Sequence, residues 1–118
     1  MSESTGSDSE QPDVPTIDVS EVADDATILD VRESDEWQAG HAPGAVLSPL
    51  ANLPTSLGNV PHGEQIPVIC RSGGRSSKAV EWLQREGFDA VNVDGGMRAW
   101  AKADKPMVSE NDKEPQVI

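Results

Sequence analysis

Five short runs rich in β-branched residues alternate with helical patterns through the middle of the chain. No other feature constrains the fold as much. The strand candidates are Thr16-Ile17-Asp18-Val19, Thr27-Ile28-Leu29-Asp30-Val31, Ala45-Val46-Leu47, Pro67-Val68-Ile69-Cys70 and Ala90-Val91-Asn92-Val93. They read as nearly continuous apolar runs, not as strict apolar–polar alternation, which suits parallel strands buried on both faces. Pro67 is compatible with the first residue of a strand. Between the runs, Ser34 is placed to cap a short helix, with Asp35 and Glu36 favourable at its positive end and Gly40 as its stop. Leu50 to Leu57 forms a weaker helical pattern interrupted by Pro54. Ser76 to Glu86 is the clearest helix: Ala79, Trp82 and Leu83 share a face, and Gly87 falls just past the end. Gly95 or Gly96 opens a last short helix through Met97, Ala99, Trp100 and Ala101. Strand and helix in alternation predict an α/β domain around a mainly parallel sheet.

Outside this core the pattern lapses. Residues 1–14 are polar and acidic without apolar periodicity, and read as a disordered leader. The stretch 105–118 carries Pro106, Pro115 and many charges, and predicts a loose C-terminal tail or one lying over the surface. The folded domain is therefore expected over 15–104, a length sufficient for one hydrophobic core. The chain has 21 Asp and Glu against 9 Lys and Arg, a formal net charge of -12. Such an excess argues against nonspecific binding to nucleic acid or to an anionic membrane surface. No stretch has a signal-peptide pattern, and none approaches transmembrane length. One cysteine cannot form an internal disulfide, and His41 and His62 belong to no Cys/His cluster with zinc spacing. The expectation is a cytoplasmic protein without metal or cofactor, monomeric by default.

The charge is unevenly distributed. No Lys or Arg precedes Arg32, whereas between Val68 and Gly87 the residues Arg71, Arg75, Lys78 and Arg85 face only Glu81 and Glu86. The one locally basic stretch thus surrounds the only cysteine, in the sequence CRSGGRS from Cys70 to Ser76. A solvated helix face gives the same charge pattern; the sharper reading is an anionic ligand near Cys70. Cys70 is predicted at the carboxyl end of a central strand, the edge at which open α/β sheets bind ligands. Gly73 and Gly74 let backbone N–H groups turn inward, and a helix starts directly after them. Donors of this kind favour the thiolate over the thiol, and Arg71 and Arg75 add positive charge. A lone cysteine in an α/β domain is ordinarily a buried, inert side chain. Strand end, paired glycines, flanking arginines and helix start together point instead to a nucleophile.

CRSGGRS resembles the active-site loop of the rhodanese family. Three further stretches resemble that family's pattern in order: Leu29-Asp30-Val31-Arg32-Glu33, Gly40-His41-Ala42-Pro43-Gly44-Ala45 (with Ala42 where Ile is commoner), and Gly95-Gly96-Met97-Arg98-Ala99-Trp100. Together they span about residues 16 to 102, nearly the whole core. The resemblance implies a central five-stranded, mostly parallel sheet flanked by helices in three layers. It implies a sulfurtransferase in which Cys70 takes sulfur from thiosulfate or a similar donor as a persulfide and passes it to cyanide, a thiol or a protein acceptor. The loop Arg71, Ser72, Gly73, Gly74, Arg75 and Ser76 would then bind substrate. Arg71 would face the incoming anion, and Arg75 would organise the loop by pairing with an acidic group such as Asp30 or Glu33. Asp30 and Arg32 are the expected supporting residues. Four residues lie between Cys70 and Arg75, whereas the dual-specificity phosphatases of this superfamily have one more, in a ring wide enough for phosphate. The shorter ring suits a single sulfur atom. Rhodanese-like domains also serve as partner-binding or sulfur-relay modules, and the presence of Cys70 with two loop arginines argues for the enzyme. His41 is expected to make a structural hydrogen bond. Trp37, Trp82 and Trp100 are expected to pack, with Trp100 a candidate for the pocket edge.

Overall fold

The computed structural model describes residues 14–55, 58, 60 and 64–118. The leader residues 1–13, together with Leu57 and His62, lie outside the described residues. Val14, read as the end of the leader, already packs on the core.

Five strands form: β1 (Thr16–Ile17), β2 (Ile28–Asp30), β3 (Ala45–Leu47), β4 (Ile66–Ile69) and β5 (Ala90–Val93). Three α-helices accompany them: α1 (Ser34–Ala39), α2 (Gly74–Arg85) and α3 (Gly96–Lys102). Val19–Glu21 and Leu50–Thr55 are 3-10 helices. The sheet runs β1-β5-β4-β2-β3, and every pairing is parallel.

Local chemistry explains where the elements depart from the sequence pattern. The strand expected over Thr16–Val19 stops at Ile17, because the Asp18 carboxylate accepts from the Ser20 amide and opens the first 3-10 helix. Glu33, not Ser34, occupies the capping position of α1, and its amide donates to Glu36 Oε1 at 3.0 Å. The Leu50–Leu57 pattern becomes a 3-10 helix with Pro54 inside it, a short element in place of an α-helix, since proline removes an amide donor. α2 begins at Gly74, two residues before the expected Ser76, because Gly73 takes up a positive φ of 119° and turns the chain directly into the helix.

Alternate residues of the strands supply two separate apolar layers. Leu29, Val31, Ile66, Val68 and Cys70 pack with Ala79, Val80 and Leu83 of α2. Ile28, Ile69 and Val93 face the other way, onto Met97 and Trp100 of α3 and onto Val19 and Val22. Trp100 is fully buried in this second layer, and its indole N–H donates to the Pro106 carbonyl at 2.9 Å. It is a core residue and not a pocket edge. Trp82 packs on the first layer.

From β2 the sheet grows outward to β3, and from β4 it grows outward in the other direction to β5. The carboxyl ends of β2 and β4 therefore flank the point where the strand order reverses, the place at which such sheets open a crevice. Asp30 ends one strand and Cys70 follows the other.

Residues 105–118, expected to be loose or to lie over the surface, take the second course. His41 and Val108 exchange backbone hydrogen bonds of 2.9 Å each way as an antiparallel bridge. The Gln116 amide donates to the Ala39 carbonyl at 2.9 Å. Met107 and Val117 pack against the second apolar layer, and this burial holds the segment down.

Candidate active site

Cys70 follows the buried strand β4 and is itself 1% exposed. Its Sγ accepts from the Gly73 amide at 3.1 Å and lies 3.3 Å from Ser76 Oγ. The loop thus folds back around the sulfur, as Gly73 and Gly74 lead the sequence to expect. Burial pushes the thiol upward, but the Ser76 hydroxyl and the amides of Ser76, Gly73 and Ser72 outweigh it, so the thiol ionises below its ordinary range. Hydrogen bonds to the charged form make a thiol easier to ionise, and the thiolate is the reactive form.

The Ser76 hydroxyl is shared. It reaches the Gly73 carbonyl at 3.2 Å and Asn92 Oδ1 at 2.5 Å, besides the sulfur. A hydroxyl has one proton to give, and the short contact assigns it to Asn92 while Cys70 is a thiol. The S–H can then donate to Ser76 Oγ. Asn92 is buried on β5 and also donates from Nδ2 to Ser77 Oγ at 2.9 Å. It fixes the first turn of α2 beneath the sulfur. Sequence reading missed Asn92, although a polar residue inside the apolar run Ala90–Val93 was the available signal.

The two loop arginines do different things. Arg75 forms a two-pronged pair with Glu36 of α1, Nη1 to Oε1 at 2.8 Å and Nη2 to Oε2 at 2.9 Å. The Arg75 hydrogen bond, helped by the Glu33 amide and the charges of Arg75 and Arg32, holds the Glu36 carboxyl down at about 2 against the resistance of burial. The partner of Arg75 is therefore Glu36, in place of Asp30 or Glu33. Asp30 is already taken: it lies fully buried with Arg32, whose Nη2 donates to Oδ2 at 2.7 Å and whose Nε donates to Oδ1 at 2.9 Å. Glu33 is exposed at the start of α1. Arg71 is exposed, and its Nε donates to the Ile118 carbonyl at 3.0 Å. In this arrangement its guanidinium faces the C-terminal segment and not the sulfur.

Asp30 and Arg32 form a buried pair beneath α1, and neither bonds to the sulfur. Arg32 Nη2 also donates to the Gly40 carbonyl at 2.8 Å, tying down the end of α1, the helix that carries Glu36. A buried pair of this kind is costly to break from one side, because the remaining charge has no water.

Gly96 is the second residue that sequence reading did not place at the site. Its φ is +56°, and a Cβ there would meet the Cys70 carbonyl oxygen and the Arg71 carbonyl group. That close approach lets the Met97 amide donate to the Cys70 carbonyl at 2.8 Å and the Arg98 amide to the Arg71 carbonyl at 3.0 Å. α3 is thereby locked onto the loop.

His41 sits apart from the sulfur loop. Its ring stacks on Trp37 with centroids 3.5 Å apart, Nε2 lies 2.9 Å from Glu110 Oε2, and Nδ1 lies 2.8 Å from the Ala42 carbonyl. The ring fastens the C-terminal segment to the end of α1.

An α/β sheet with a cysteine cradled at its crevice and a closing Gly-Gly helix start defines the class. Residues 16–103 match the rhodanese-like domain, and the chain belongs to that family. A rhodanese-like domain protein from Staphylococcus aureus has the same fold, with a TM-score of 0.68 and 37% identity, over 73% of this chain and 90% of that one. A rhodanese-related protein from Thermoplasma volcanium matches with a TM-score of 0.74 and 30% identity, over 80% and 97% of the two chains. A protein of Allochromatium vinosum named a sulfurtransferase is 32% identical over 87 residues, 73% of this chain and 81% of its own length.

Proposed function

We propose that this protein is a sulfurtransferase that carries sulfur on Cys70, with thiosulfate or a similar sulfane sulfur compound as donor and cyanide or a thiol as acceptor. Family membership and the sulfurtransferase among its relatives support sulfur transfer as the general chemistry. The observation that carries the reading for this chain is the cradle itself: a thiol lowered by the Ser76 hydroxyl and by the amides of Ser76, Gly73 and Ser72.

The Cys70 thiolate attacks the outer sulfur of thiosulfate. A Cys70–sulfur bond forms, the sulfur–sulfur bond of the donor breaks, and sulfite leaves with the electron pair. The outer sulfur of the resulting persulfide is anionic. The loop from Arg71 to Ser76 holds it by the same amide donors that favour the thiolate. Cyanide then attacks that sulfur, thiocyanate departs, and the Cys70 thiolate receives the bonding pair back. A covalent intermediate of this kind splits the transfer into two displacements on one sulfur. Arg75, fixed by Glu36, keeps the loop in shape. Arg71 serves the incoming anion by swinging its exposed side chain from Ile118 toward the loop mouth.

Initial-rate kinetics with thiosulfate and cyanide test the reading. Parallel double-reciprocal lines are expected, with activity abolished by Cys70→Ser. Intersecting lines, or undiminished activity in the serine variant, would remove the covalent step.

A further inference from the structure

Beside the sulfur loop lies an open depression of about 440 Å³ lined by Ser72, Gly95, Arg98, Ala99 and Lys102. No carboxylate lines it among the described residues, in a chain whose formal charge is -12. Four of the nine basic side chains, Arg32, Arg75, Arg85 and Lys105, are seen in ion pairs among the described residues. Among the described residues, Arg98 and Lys102 have no acidic partner within ion-pair distance, and both are exposed. Lys102 suits the carboxyl end of α3, but Arg98 falls in the first turn, where a helix disfavours positive charge. Helix stability therefore does not account for Arg98. The two residues are four apart on α3, hence on one face. The Arg98 amide is bonded to the Arg71 carbonyl, so this cationic face is held rigidly against the Cys70 loop. Thiosulfate is compact and needs only the loop; a depression of this volume has the scale of a small organic ligand.

We propose that this depression docks the organic part of a small thiol acceptor bearing one or more carboxylates, with Arg98 and Lys102 holding the carboxylates. The inference rests on the Cys70 persulfide described above. The thiolate of the acceptor attacks the outer sulfur of the persulfide and forms a new sulfur–sulfur bond. The bond from Cys70 Sγ to that sulfur breaks, and the sulfur leaves on the acceptor as its anionic persulfide. Cys70 is left as the thiolate, so no oxidant or reductant is consumed.

The test loads the protein with sulfur from thiosulfate, removes the excess, and follows loss of the sulfur by intact mass after adding mercaptosuccinate, 2-mercaptoethanol or cysteamine. Comparing wild type with variant for each thiol cancels the thiols' own nucleophilicity. In the double variant Arg98→Ala/Lys102→Ala, the rate ratio of mercaptosuccinate to 2-mercaptoethanol is expected to fall by roughly 3- to 10-fold at low salt, with the difference shrinking as salt is added. The reversal Arg98→Glu/Lys102→Glu is expected to shift preference toward cysteamine. Both side chains are exposed, so the fold tolerates these changes. An unchanged ratio in both variants would overturn the docking site while leaving the persulfide intact. If wild type takes up no sulfur at all, the persulfide reading falls first, and the docking site with it.

Discussion

Replacing Glu36 by Gln isolates the contact that fixes Arg75. The variant keeps a side-chain oxygen for the Glu33 amide but removes the charge opposite the guanidinium. In the folded protein the Glu36 carboxyl is held at about 2 against an ordinary 4.5, a difference worth roughly 3 kcal/mol at full strength. The Arg75 side chain is 35% exposed, so water screens the pair and the realised contribution is ~1–2 kcal/mol. The sign follows from the depressed folded value. Stability from this carboxylate is fully present above its unfolded value and is lost as the pH falls toward the folded one. Urea unfolding of wild type and Glu36→Gln checks this. The variant should be less stable by ~1–2 kcal/mol near pH 7, by the same amount near pH 5, and by progressively less toward about pH 2. Equal stability near neutrality would show that the pair contributes nothing. A deficit that stays constant in acid would show that the loss comes from packing and not from charge.

Three other substitutions probe the rest of the cradle. Ser76→Ala removes a donor that lowers the Cys70 thiol, so the midpoint of the iodoacetamide rate against pH should rise; an unmoved midpoint would leave the amides alone responsible. Gly96→Ala places a methyl group against the Cys70 and Arg71 carbonyls at positive φ, and should cost ~2–4 kcal/mol in denaturant unfolding while slowing alkylation of Cys70. Asp30→Asn leaves Arg32 buried without its counter-charge, and should destabilise the domain by roughly 3–5 kcal/mol in the same assay; a near-neutral effect would mean that water reaches Arg32.

What the sequence disclosed and what it hid divide along the range of the interaction. Strand runs, the Gly73–Gly74 turn and the face of α2 are set by neighbours a few residues apart, so periodicity and glycine placement revealed them. The position of Cys70 at the crevice followed from the alternation of strand and helix. The Arg75–Glu36 pair joins side chains 39 positions apart, and no local rule selects Glu36 over Glu33 or Asp30. Once α1 forms, Glu36 turns toward the loop while Glu33 stays at its exposed start. Asn92 needed β5 to lie beside β4 before its amide could reach Ser76. Gly96 looked like a helix opener, and its closer constraint, the approach of Cys70 and Arg71, exists only in three dimensions. The C-terminal segment looked loose because its apolar residues are scattered; Met107 and Val117 find their partners only on the assembled second layer.

The most direct test of the Cys70 account is intact mass spectrometry of the protein after incubation with thiosulfate, then with cyanide, alongside Cys70→Ser. The wild type should gain one sulfur atom and lose it to cyanide, and the serine variant should do neither. A folded wild-type protein whose mass stays unchanged after thiosulfate, or a serine variant that gains the same sulfur, would contradict the Cys70 account.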